Sequence, residues 1–193
     1  MRLSRFKSAE SGFSLIEVMV VVAIILIISA MAIPNIMSSV YAMRVRSSLT
    51  ELTGLIQQTR MRSVRDTQNY QVLTTTIQGR LVFYADFNHD GTYSAANDPF
   101  VVVMPPDVTI GGVPGSTTGL DVANVVTGLP SFNVRGLPCT WTNQFSCPFI
   151  NTVTGNPSKF VYYLNTDRGS IMAITVAPSG RVKGWIWDGA AFE

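Results

Sequence analysis

The chain has 193 residues, with 14 Lys and Arg against 12 Asp and Glu, a single His and two Cys. A formal charge of +2 excludes a protein coated in basic side chains for nonspecific nucleic-acid binding, leaving only local patches to consider. Two cysteines and one histidine make no zinc-ligand spacing, and any Ser-His or Cys-His catalysis would have to run through His89.

The first element is a short basic leader. Arg2, Arg5 and Lys7 precede a long apolar run, with Glu10 the one acid among them, and the positive-inside bias puts this leader on the cytoplasmic side. From Val18 to Ile33 the only polar residue is Ser29. Counted from Phe13, the run has 21 residues, enough helix for a hydrocarbon core of about 30 Å. Glu17 lies inside it, near one end. A carboxylate near the bilayer centre costs about 2.5 to 3.5 kcal/mol, so Glu17 is expected to face the interface or a partner group on another subunit. The alternative is a single-pass anchor with an incidental Glu. A secretory signal is cut after its apolar core, whereas the small residue here, Gly12, lies before the core. Cleavage at Gly12 keeps the apolar helix on the mature chain.

Gly12-Phe13-Ser14-Leu15-Ile16-Glu17, followed by the apolar run and Pro34, resembles the type III signal of type IV prepilins and pseudopilins. The resemblance implies cleavage between Gly12 and Phe13 by a prepilin peptidase, N-methylation of Phe13, and assembly with other pilins or pseudopilins after a stay in the inner membrane. It also implies that Glu17 meets a neighbour's Phe13 amine. Removing the leader takes away three bases and one acid, leaving 11 of each and a formally neutral mature chain.

Past Pro34, which can kink a helix without ending it, Ile36, Val40, Met43, Leu49, Leu52, Ile56 and Thr59 recur at mostly three- and four-residue steps. One helix from about Phe13 to Arg65 is expected, stopping between Asp66 and Asn69. Strands are expected at Tyr70 to Ile77, Arg80 to Ala85, Phe100 to Met104 and Phe160 to Leu164. A hairpin is expected from Ser170 to Ala177 and Arg181 to Trp187 around Pro178-Ser179-Gly180. Between Pro105 and Pro157, rich in Gly, Pro, Ser, Thr and Asn, the expectation is long loops with about two strands, one short apolar run being Asp121 to Val126. The fold class is therefore α+β, a long N-terminal helix on an antiparallel sheet, divided as leader 1–12, membrane or filament-core helix 13–33, amphipathic continuation 34–69 and β-rich domain 70–193.

Cys139 and Cys147 stand close in sequence, and an oxidising compartment would join them. Asp86, Asn88, Asp90, Gly91 and Thr92 read as the first half of a calcium loop. The second half disagrees, with Asn97 at the twelfth position and Asp98 one residue late. The reading preferred on these residues is a turn whose Asp and Asn side chains bond the local backbone, without a cofactor.

In the last strand, alternation puts Arg181, Lys183, Trp185 and Trp187 on one face and Val182 and Ile186 on the other. Bases beside aromatic platforms suit single-stranded nucleic acid, and a solvated strand face with packed indoles is the plainer alternative. The Arg-rich helix end Thr59 to Arg65, the run Phe83 to Gly91 and Pro178-Ser179-Gly180-Arg181 make the globular part similar to the GspH/FimT branch of minor pseudopilins and minor pilins. DNA-uptake members of that branch carry G-R-x-R near the carboxyl terminus; Gly180-Arg181-Val182-Lys183 is similar but ends in Lys, which lacks the planar fork of Arg. No Gly-rich phosphate loop is present, and no carboxylate pair stands out. The resemblance thus implies a non-enzymatic minor subunit of a type II secretion pseudopilus or type IV pilus. A DNA-capturing minor pilin and a non-assembling anchored domain are the alternatives. Its domain is expected in the periplasm or, within a filament, outside the cell, with secreted substrate or DNA as further partners.

Overall fold

The computed structural model describes residues 13–111, 117–120, 125–151, 155–167 and 169–193. The leader with Gly12, and residues 121–124 of the short apolar run Asp121 to Val126, lie outside them. The chain divides into two compact units, Met1–Met43 and Arg44–Glu193.

Helix α1 is assigned from Leu15 to Asp66, running through Pro34. In the first unit, the large apolar side chains from Phe13 to Met43 that the structure describes are mostly exposed. Ile36, Val40 and Met43, expected in the buried stripe, are among them; no strand of their own unit covers them.

In the second unit the stripe is buried as its period requires: Val45, Leu49, Leu52, Leu55, Ile56 and Thr59 turn inward. Its buried hydroxyls are satisfied within the helix, Thr59 Oγ1 donating to Leu55 O at 2.9 Å and Ser63 Oγ to Arg60 O at 2.7 Å. The helix ends where the polar residues gather. Thr67 adopts φ 52° and Gln68 N donates to Ser63 O at 3.2 Å, a six-to-one closure that satisfies a terminal carbonyl.

Ten strands follow: β1 (Tyr70–Ile77), β2 (Arg80–Asp86), β3 (Val101–Val103), β4 (Val108–Ile110), β5 (Val126–Thr127), β6 (Ser131–Phe132), β7 (Pro138–Cys139), β8 (Phe160–Thr166), β9 (Ile171–Val176) and β10 (Val182–Ile186). They form two sheets, β3-β2-β1-β6-β7 and β10-β9-β8-β4, with β5 alongside β8. Every pairing is antiparallel except β5 with β8. This is the expected α+β architecture, with two sheets where one was expected. The stretch from Pro105 to Pro157 holds four short strands among its described residues rather than two. They extend both sheets, which gives otherwise irregular backbone its hydrogen-bond partners.

The core lies between the buried helix stripe and the sheets. Tyr84, Phe83, Phe132, Leu52, Ile56 and Met104 are its largest fully buried members. Cys139 and Cys147 are joined in a disulfide, as the compartment argument requires, and Asn69 Nδ2 donates to Gln144 O at 3.0 Å, fastening the bridged loop to the helix end.

Candidate functional site

Two regions carry the functional candidates. The first is the start of α1. Ser14 stands before the helix with Glu17 three residues on, the spacing of a capping box. Glu17 N donates to Ser14 Oγ at 3.3 Å and to Ser14 O at 3.1 Å, so one orphan donor of the first turn is satisfied. A carboxylate in this turn also suits the positive end of the helix dipole. Phe13 is 78% exposed and Glu17 is exposed one turn beyond it. Leu15–Ile33 is long and apolar enough to cross a membrane, and none of it is buried by the rest of the chain. Such a surface demands lipid or other apolar helices around it.

The second region is the outer strand β10 and the hairpin leading into it. Ala177 N donates to Arg181 O at 2.9 Å and Gly180 N to Ala177 O at 2.7 Å, closing the turn that the Pro-Ser-Gly signal predicts. Gly180 has φ 80°, and a Cβ there would stand 2.7 Å from the Arg60 guanidinium carbon. That guanidinium is a strut. Arg60 Nε donates to Gly136 O at 2.8 Å and Arg60 Nη2 to Ser179 O at 3.3 Å, tying the helix to two turns far away in sequence.

Among the four side chains expected on one face, Arg181 and Lys183 are exposed and Trp185 and Trp187 half-buried. Lys183 Nζ lies 3.3 Å from the Trp185 ring centroid, and Trp185 Nε1 donates to Thr175 Oγ1 at 2.8 Å across the strand pair. Trp187 packs on Phe192 with ring centroids 5.1 Å apart, within the apolar cluster of Leu120, Val161, Ala173 and Phe192. Arg181, Lys159 and Trp185 line one shallow groove, and Arg181 and Arg60 line another.

Sequence reasoning passed over the end of α1 as an anchoring site. Arg65 Nε donates to Asp66 Oδ1 at 2.9 Å, Arg62 Nε to Asp66 Oδ2 at 3.0 Å, and Tyr70 Oη to the same oxygen at 3.1 Å. These bonds, that from Arg65 foremost, pull the Asp66 carboxyl down to about 2. The Arg62 guanidinium sits 4.0 Å over the Phe87 ring. His89, which would have to serve any histidine-dependent chemistry, stacks between Tyr70 at 5.4 Å and Trp141 at 5.9 Å. One signal available was the density of arginines at the helix end. The i,i+4 spacing of Arg62 and Asp66 was a second signal, whereas the Phe87 ring under Arg62, distant in the chain, left no trace in spacing.

A family model described as the prokaryotic N-terminal methylation motif matches residues 7–33. The chain thus carries a type IV pilin or pseudopilin-like prepilin signal, centred on the Gly12-Phe13 junction and the exposed apolar helix. No curated protein and no solved structure matches the chain.

Proposed function

We propose that this protein is a non-enzymatic minor pilin or pseudopilin, held first in the inner membrane and then built into a helical filament of a type II secretion pseudopilus or type IV pilus. The observation that carries the proposal is the apolar helix of the first unit, unburied from Leu15 to Ile33 behind a prepilin signal. Lipid covers such a surface before assembly, and neighbouring apolar helices can replace the lipid afterwards. In that setting Glu17 would meet a neighbour's Phe13 amine, because a charge moved into apolar surroundings needs a close counter-charge. The GspH/FimT branch is supported by the Arg-rich helix end, the Asp86 turn and the Gly180-Arg181 hairpin.

The test is intact mass and N-terminal sequencing of protein recovered from membranes of a host with an active prepilin peptidase. A terminus at N-methylated Phe13 is expected. An uncut Met1, or a cut beyond Ile33, would overturn the proposal and leave an anchored domain that does not assemble.

DNA capture is a second reading, favoured by the exposed Arg181 and Lys183 beside the Lys159 groove. Its stacking surface would be restricted to the free parts of Trp185, because Lys183 lies on that ring and Phe192 against Trp187. Joint Arg181→Ala and Lys183→Ala substitution abolishes retention of single-stranded DNA under this reading. Unchanged retention refutes it.

A further inference from the structure

We propose that residues 86–92 form a calcium site, in which the side chains of Asp86, Asn88 and Asp90 and the main-chain carbonyl of Thr92 supply the oxygen ligands. The proposal does not depend on the assembly reading.

Its central observation is Asp86. The residue is fully buried at the end of β2, and its Oδ1 accepts no hydrogen bond among the described residues. Buried carboxylate oxygens are normally paired, and one left without a donor points to a ligand in the space it faces. The companion oxygen fixes that direction. Asp86 Oδ2 accepts from Gly91 N at 3.2 Å and from Gln71 Nε2 at 3.1 Å, so the chain from 86 to 91 curls back to this carboxylate, and the proposal assigns the unpartnered Oδ1 to the ion.

The other ligand positions are held within the same curl. Asp90 N donates to Asn88 Oδ1 at 3.4 Å, Thr92 N to Asp90 Oδ1 at 2.7 Å, and Asn88 Nδ2 to Asp90 Oδ2 at 2.6 Å. Tyr84 Oη donates to Gly91 O at 3.1 Å and pins the tip to the sheet. Positions one, three, five and seven of the loop are thus oxygen-bearing, with glycine at six, as calcium loops require.

Asp98 explains the departure from that pattern at position twelve. Both its oxygens are committed to backbone, accepting from Phe87 N at 3.2 Å and from Ser94 N at 2.9 Å. It closes the loop as a brace, so the carboxylates proposed for the ion are Asp86 and Asp90, the latter exchanging the Asn88 Nδ2 bond on its Oδ2 for the ion. Among the described residues no group of three or more acidic, histidine or cysteine side chains is arranged to hold a metal ion, so the proposed set is two charged and two neutral oxygens completed by solvent. So low a charge count belongs with the weak class of calcium sites used outside the cytoplasm, with Kd of about 10⁻⁴ to 10⁻³ M. Magnesium, smaller and reluctant to shed water, fits such a loop poorly.

The experiment uses the full chain in detergent, stripped with EGTA and titrated with CaCl2, MgCl2 and, separately, TbCl3. Calcium at 10 mM is expected to raise Tm by about 5 °C. Magnesium at the same concentration should give less than half of that. Terbium should luminesce under tyrosine excitation, because Tyr84 and Tyr93 flank the loop. Asp86→Asn and the exposed Asp90→Asn, which disturbs no buried residue, should each remove the calcium shift and cut terbium emission at least fivefold. Asp107→Asn, before β4, should change neither. Absence of a calcium shift and of terbium emission in the unaltered chain would overturn the site, as would responses that survive both Asp86→Asn and Asp90→Asn.

Discussion

Asp66 shows how much one side chain can organise at the end of a helix. Arg62, Arg65 and Tyr70 all donate to it, and its carboxyl is lowered from 3.8 to about 2. The folded state therefore holds the charged form more strongly than the unfolded chain does. Its contribution is fully present above about pH 4 and is lost as pH falls from there through about 2. Solvent exposure of Arg65 keeps the contribution modest. In thermal melts, the unaltered protein is expected to lose more Tm between pH 4 and pH 2 than Asp66→Asn does; parallel profiles would show that the cluster carries no acid sensitivity. At the same scale, the proposed assembly gives Glu17 a role across molecules. Glu17→Ala removes the costly charge from the span without touching the Gly12-Phe13 junction, so insertion and cleavage should persist while recovery in filaments falls at least tenfold. Unchanged incorporation, read as the ratio of sheared filament to membrane protein on immunoblots, would refute the pairing with a neighbour's amine.

Elements were legible in sequence to the extent that they repeat. The stripe Leu49, Leu52, Ile56, Thr59 announces a helix face because its period is that of the helix, and β1 spans the expected Tyr70 to Ile77, rich in β-branched residues. The strands β5, β6 and β7 span two residues each, too short for any alternation to show; β5 and β6 pair with the longer β8 and β1, and β7 pairs with β6. The Arg60 strut was hidden for another reason: it bonds main-chain carbonyls of Gly136 and Ser179, which no side-chain pattern marks. At the candidate surface, alternation grouped Trp185 and Trp187, but Phe192, contributed by the chain's last turn, covers the second. Close approach of helix and sheet was equally invisible. A Cβ on Gly184 would lie 2.8 Å from Leu49 Cγ, whereas one on Gly54 would meet nothing within 4 Å. The two glycines should respond in opposite directions. Gly184→Ala is expected to destabilise by about 1 to 3 kcal/mol through overpacking, and Gly54→Ala to stabilise by about 1 kcal/mol through helix propensity. Urea unfolding of both variants checks the pair, and equal signs would contradict the packing of α1 on β10.

The whole molecule separates what must be covered by others from what covers itself. Every buried apolar residue of the described core lies at Val45 or later, and the disulfide and both sheets lie in the second unit. The Cys139–Cys147 bridge closes a short loop across a sequence separation of 8, so joint Cys139→Ser and Cys147→Ser substitution should cost about 2.5 kcal/mol, measured by urea unfolding. The first unit contributes exposed apolar surface and no core residue, which makes its removal a direct test of the division at Met43 and Arg44. About 150 residues remain after that cut, a size at which a single domain buries enough surface to be stable alone. Helix α1 would begin one residue before its first buried side chain, with the Leu52, Leu55 and Ile56 stripe and the Asp66 cluster intact. Residues Arg44–Glu193, produced in an oxidising compartment, should therefore be monomeric without detergent and retain near-ultraviolet circular dichroism from the packed tyrosines and tryptophans. They should unfold cooperatively within about 3 °C of the full chain, since no core contact is lost. The full chain without detergent should aggregate, because the same cut removes the surface that lipid or neighbouring helices have to cover. A truncated chain that aggregates, or melts without a cooperative transition, would mean that residues before Arg44 belong to the folding unit and are not an appended assembly helix.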